Sequence, residues 1–119
     1  MQTQLTFSIL FWIKKNRIKN GKGPIYARVT INGNRIEIST QREASVFEWN
    51  AGSQTARGKS NEAKMLNFDL AFIKTKILSC RSRLEARNEI ITIESLKKEY
   101  TGVIELFGHF FFQEKKWQT

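Results

Sequence analysis

Pro24-Ile-Tyr-Ala-Arg-Val-Thr-Ile-Asn-Gly-Asn-Arg-Ile-Glu-Ile-Ser-Thr40 sets two runs rich in β-branched residues on either side of Asn32-Gly33. Both turn residues tolerate positive φ, so an Asn-Gly pair between alternating apolar runs predicts a β-hairpin. Asn34 could extend the turn into a three-residue loop. Side chains alternate across a strand. Ile25, Ala27, Val29 and Ile31 therefore share one face, and Ile36 and Ile38 join them across the turn. Tyr26, Arg28, Thr30, Arg35, Glu37 and Ser39 share the other. The apolar face demands a core. The opposite face suits a nucleic-acid groove, where arginine binds guanine or phosphate, and it suits plain water as well.

Working outward, Leu5 to Ile13 predicts a third strand, with Leu5, Phe7, Ile9, Phe11 and Ile13 turned to the same core. Leu10 and Trp12 then fall on the polar face, which fits a protein contact, a nucleic-acid contact or cover from the chain terminus. Lys14 to Gly23 reads as a mobile basic loop, placed to clamp phosphates beside a groove. Gln41 to Lys59 reads as a long loop with one short turn, anchored by Phe47 and Trp49.

Ser60 or Asn61 can cap a helix running to about Asn88,. Ala63, Leu66, Leu70, Ile73, Ile77, Cys80 and Leu84 keep the spacing of one buried stripe, and Met65, Phe68 and Phe72 widen it. The helix is about 40 Å long and a seven-residue strand about 23 Å. Half the helix covers the sheet and the other half needs a second partner. Thr92 to Tyr100 predicts a short helix stopped by Gly102. The fold class is α+β: a three-stranded antiparallel sheet packed on one long helix, followed by short C-terminal helical segments. Residues 1–90 form the sheet-and-helix domain and 91–102 a short helix and linker. Residues 103–119, crowded with apolar and aromatic side chains, read as the truncated start of a helical domain.

Twenty basic residues oppose eleven acidic ones, a formal net charge of +9. The excess is lopsided: residues 1–59 hold ten basic and three acidic groups, residues 60–119 ten and eight. Seven basic residues and no acid lie from Lys14 to Arg35. A basic block on a folded scaffold points to a polyanion. Cys80, the single cysteine, cannot close an internal disulfide, which fits a reducing cytoplasm,. No apolar run is long enough to span a bilayer. His109 is the single histidine, and no metal-ligand spacing, phosphate loop or nucleophile–base pair accompanies it,. Neither an enzyme nor a metal, cofactor, membrane or small-molecule partner is expected.

The hairpin, the basic loop, Trp49-Asn50, Arg57-Gly-Lys-Ser60, and Asn67 with Leu70 together resemble the N-terminal arm-type DNA-binding domain of tyrosine recombinases, the integrases of conjugative transposons and phages. The resemblance covers about residues 5–102. Gln41 departs from it, since the pattern favours a glycine after Ser-Thr. The resemblance implies a sheet whose open face enters the major groove of arm-type sites, in a bacterial, nucleoid-associated protein that assembles with other recombinase subunits. It matches Tyr26, Arg28, Thr30 and Arg35 to the face, and Lys14, Lys15 and Arg17 to the basic loop. Lys19, Lys22 and Arg42 complete the expected double-stranded DNA contacts, with Arg28 and Arg35 nearest base edges. The recombinase catalytic set has no counterpart: three phenylalanines follow His109 where the pattern needs an arginine, and Tyr100 precedes any catalytic domain. A DNA-binding portion without catalytic activity is expected. A protein-interaction module built on the long helix and the C-terminal aromatics is the alternative.

Overall fold

The computed structural model describes residues 5–107. Strands β1 (Phe7–Ile13), β2 (Lys22–Ile31) and β3 (Asn34–Ser45) form an antiparallel sheet in the order β1-β2-β3. Ile31 pairs with Asn34. The connection is thus a two-residue turn with Asn32 at φ 50° and Gly33 at φ 86°, the doubly left-handed geometry that Asn-Gly favours. Asn34 belongs to the strand and not to the turn. The Asn32 side chain also accepts from the Thr6 backbone N–H at 3.0 Å, which ties the start of β1 to the turn.

Ile25, Ala27, Val29 and Ile31 are all but fully buried, with Phe11, Ile13 and Ile38 beside them. This is the face the alternation assigns to the core. Helix α1 (Asn61–Ala86) lies across it. Ser60 caps α1 by accepting from the Ala63 N–H at 3.1 Å, a contact worth about 1 kcal/mol. The other end closes through Asn88, at φ 59°. There the Glu89 N–H donates to Leu84 O and the Asn88 N–H to Glu85 O, the paired bonds of a left-handed helix stop. Ala63, Leu70, Ile77, Cys80 and Leu84 are buried. Met65, Phe68 and Phe72 do not widen the stripe; they are 64%, 70% and 55% exposed. At about 100° per residue they stand on the far side of α1 from Leu66 and Leu70, and the narrow sheet reaches only one side.

The overhanging half of α1 is covered by α2 (Ile93–Phe107). Thr92 caps α2, accepting from the Ser95 N–H at 3.0 Å. Leu96 and Tyr100 are buried against α1. Gly102 does not stop this helix, which continues to Phe107. Glycine in an exposed helix costs only about 1 kcal/mol, and packing one turn earlier carries the backbone through. The aromatic segment from 108 onward lies outside the described residues.

Two segments expected as loops are ordered. In the first, Lys15–Arg17 forms a 3-10 turn. Lys19 and Lys22 then bracket a second Asn-Gly turn, with Asn20 at φ 56° and Gly21 at φ 76°. In the second, β3 extends through Ser45, and a small hairpin follows from β4 (Trp49–Asn50) and β5 (Thr55–Ala56). The Asn67 side chain on α1 bonds both backbone groups of Ala56, at 2.8 and 3.0 Å. Gln54 accepts from the outward Phe11 N–H at 2.9 Å, which blunts the free edge of β1. Trp49 packs on the core, as expected. Phe47 does not: it is 82% exposed, because Val46 and Trp49 take the inward places on either side of a tight turn.

Candidate nucleic-acid interface

The sheet's second face carries three rungs set by register. Ser8, Thr30 and Arg35 form the rung nearest the Asn32-Gly33 turn. Leu10, Arg28 and Glu37 form the middle one, and Trp12, Tyr26 and Ser39 the last. Neither helix covers this face. Arg35 is exposed, Thr30 half-buried, and Arg35 makes no ion pair among the described residues.

The middle rung is held more tightly than the alternation implied. Arg28 donates from Nε and Nη2 to the Glu37 carboxylate at 3.2 and 2.8 Å. Its guanidinium also lies 4.7 Å over the Trp12 ring. Trp12 in turn meets Tyr26 at 6.3 Å between centroids, and the Lys14 ammonium sits 4.6 Å over the Tyr26 ring. Glu37, Arg28, Trp12, Tyr26 and Lys14 thus form one continuous row of contacts across the face. Each cation–π contact is worth about 0.5–1 kcal/mol at such exposure. The row explains why a tryptophan sits on the polar face: it is the surface on which Arg28 rests. The sequence hides this, since Trp12 and Arg28 meet only as diagonal neighbours in the β1–β2 register.

Near the last rung β3 carries a bulge: Ile25 pairs with Arg42 while Tyr26 pairs with Ser39. Thr40 and Gln41 are the extra residues. Buried Thr40 turns inward and donates from Oγ1 to Ile25 O at 2.7 Å. Gln41 takes φ 63°, the left-handed conformation that explains a glycine preference at this position. The bulge turns Arg42 toward the helix layer, where Nε meets Asp69 at 2.8 Å. Arg42 is therefore placed apart from Arg28 and Arg35. It still borders a cleft of about 530 Å³ that Arg17, Tyr26, Ser39 and Gln41 share.

Lys15, Arg17, Lys19 and Lys22 are exposed at the β1–β2 end and make no ion pair among the described residues. On the helical side Asp69, Glu85, Glu89 and Glu99 are engaged with arginines, while Glu62 and Glu94 are exposed in the first turns of their helices. Glu99 joins Arg83 at 2.8 Å and Arg87 at 2.7 Å, and the two guanidiniums hold its carboxyl down at about 2. Cys80 is fully buried in the core, where burial raises its thiol, and burial pushes the Tyr100 phenol up to about 12. No cluster able to hold a metal ion exists among the described residues, and no described helix is long and apolar enough to cross a membrane.

An arm DNA-binding domain model matches residues 11–97, well over half the chain. The chain belongs to the arm DNA-binding domain family. No curated protein and no solved structure matches it. The matched span of the arm domain opens at Phe11, inside β1, and closes at Lys97, inside α2. It takes in the whole β2–β3 hairpin, the basic turn and α1, and agrees with the N-terminal arm-type domain of tyrosine recombinases. DNA is accordingly the partner of this kind of domain.

Proposed function

We propose that this arm domain lays the open face of β1-β2-β3 into the major groove, as the DNA-targeting portion of a tyrosine recombinase that does no strand chemistry with these residues. The observation that carries the reading is the division of charge. Lys15, Arg17, Lys19, Lys22 and Arg35 are exposed without ion pairs along one side, while Asp69, Glu85, Glu89 and Glu99 are engaged with arginines on the other. Strands spaced about 4.8 Å apart make the sheet roughly 10 Å across between outer strands, close to the major groove's width of about 12 Å.

In this reading Arg35 and Thr30 reach base edges, and Arg28 offers its remaining Nη1 from a fixed position. Lys14, Lys15, Lys19 and Lys22 lie along the backbone. A phosphate entering the cleft beside Tyr26 meets Arg17 and Arg42 together, on the side away from the Glu43 carboxylate that also lines it. Such contacts set orientation while base contacts set sequence. The test is a titration of duplex DNA, from the ends of a mobile element and of random sequence, at two salt concentrations. Neutralising about five phosphates makes affinity fall several hundred-fold between roughly 50 and 200 mM salt. Affinity that ignores salt rejects the reading.

The exposure of Met65, Phe68 and Phe72 favours a second reading, in which the far side of α1 is a protein contact. It expects concentration-dependent association in sedimentation and no duplex binding by the sheet.

A further inference from the structure

Glu37 is the acid placed between the two arginines of the open face; Glu43, opposite Pro24, stands at the far end of that face beside the Arg17 cleft. The neighbours of Glu37 are Arg28 directly opposite and Arg35 two residues away on the same strand. Its side chain is 31% exposed and Arg28's 27%, so solvent reaches both and a ligand can too. A carboxylate at the centre of a DNA-facing surface repels phosphate, and plain sheet stability does not demand it: a cross-strand pair contributes only about 0.2–1 kcal/mol.

We propose, resting on the DNA-binding reading above, that Glu37 is a specificity-determining residue that acts through Arg28. The carboxylate occupies Nε and Nη2 of Arg28, and the Trp12 ring covers one face of the guanidinium. The donors left to Arg28 point from a fixed place. A phosphate that takes Arg28 must displace Glu37 and then lie beside an uncompensated negative charge. A base-pair edge imposes no such exchange. In the major groove guanine offers O6 and N7 as acceptors, and cytosine, its partner, offers an amino donor. Arg28 donates to the first while Glu37 accepts from the second, with their mutual bond intact. The pair therefore rejects the backbone and accepts a G·C edge.

The test compares wild type with Glu37→Gln, a substitution of nearly the same shape, on random-sequence duplex at about 0.1 M salt. Freeing Arg28 for one further phosphate corresponds to about 5- to 10-fold tighter non-specific binding and a salt slope steeper by about one. In selection from randomised duplexes, the Glu37→Gln consensus loses its G·C preference at one position. A consensus that is the same for both proteins, or absent from both, overturns the proposal. So does a gain in non-specific affinity that persists in full when Arg28→Gln is added, because Glu37 then acts as a plain surface charge. Equal binding by wild type and Glu37→Gln overturns the role of Glu37 alone. Salt-independent binding by wild type removes the DNA-binding reading beneath it.

Discussion

Gln41 adopts φ 63°, where a Cβ crowds the following carbonyl oxygen at a cost of roughly 1–2 kcal/mol. The bulge requires that conformation, and the hydrogen bonds of Ser39 and Thr40 around it hold Gln41 there. Gln41→Gly relieves the strain but loosens the unfolded chain. The net expectation is a gain of about 0.5–1 kcal/mol, seen as a higher urea midpoint at unchanged slope. Gly23 presents the opposite case. A Cβ there meets Ile13 Cγ2 at 2.6 Å and Ile18 Cγ1 at 3.0 Å. Ile13 is a buried core residue with little room to turn. Gly23→Ala is expected to destabilise by about 1–3 kcal/mol through overpacking, lowering the midpoint in the same experiment. Nothing in the composition of the basic stretch sets Gly23 apart from Gly21; the approach of Ile13 does.

Helix α2 is docked on α1 by Leu96 and Tyr100 and by the Arg83–Glu99–Arg87 cluster. Because the Glu99 carboxyl titrates near 2 in the folded chain and in the ordinary carboxylate range when unfolded, its contribution is fully present above that range. It is lost as pH falls from the usual carboxylate value toward 2. Acid is therefore expected to loosen α2 before the sheet, visible as amide exchange rising first at Leu96 to Tyr100. Glu99→Gln removes that pH dependence at the cost of stability near neutral pH. The cluster lay out of reach of sequence reading because Glu99 and Arg83 meet only when α2 folds back. The capping residues Ser60 and Thr92 were legible, since a cap acts within a few residues of itself. Gly102 misled for a related reason: its local preference for a helix end is weaker than the docking that precedes it.

Across the whole molecule, the sheet separates a cationic front from a helical back on which most ion pairs lie. Salt dependence is a property of that arrangement, not of any one residue. Replacing Lys15 and Lys19 together by alanine is expected to reduce the salt slope of duplex binding by about two and to weaken all sequences alike. Arg35→Ala is expected to cost about 1–3 kcal/mol on a preferred site and much less on random duplex. Fluorescence anisotropy on both duplexes separates the two effects. An equal loss on both duplexes for Arg35→Ala would move Arg35 from base contact to backbone contact.

The hairpin, its two faces, the buried stripe of α1 and the family of the chain were all readable along the chain, because period and turn chemistry are local. Asn20-Gly21 carries the same turn chemistry, yet its flanks hold charge in place of an apolar alternation, and such a stretch reads as a loop. Folding in three dimensions settled the partners. It matched Arg28 to Glu37 and Trp12, sent Arg42 to Asp69 across 27 positions, and left Met65, Phe68 and Phe72 in water. Pairing between distant residues depends on strand register and on how far a narrow sheet reaches around a helix. Neither quantity is written in any short window of residues.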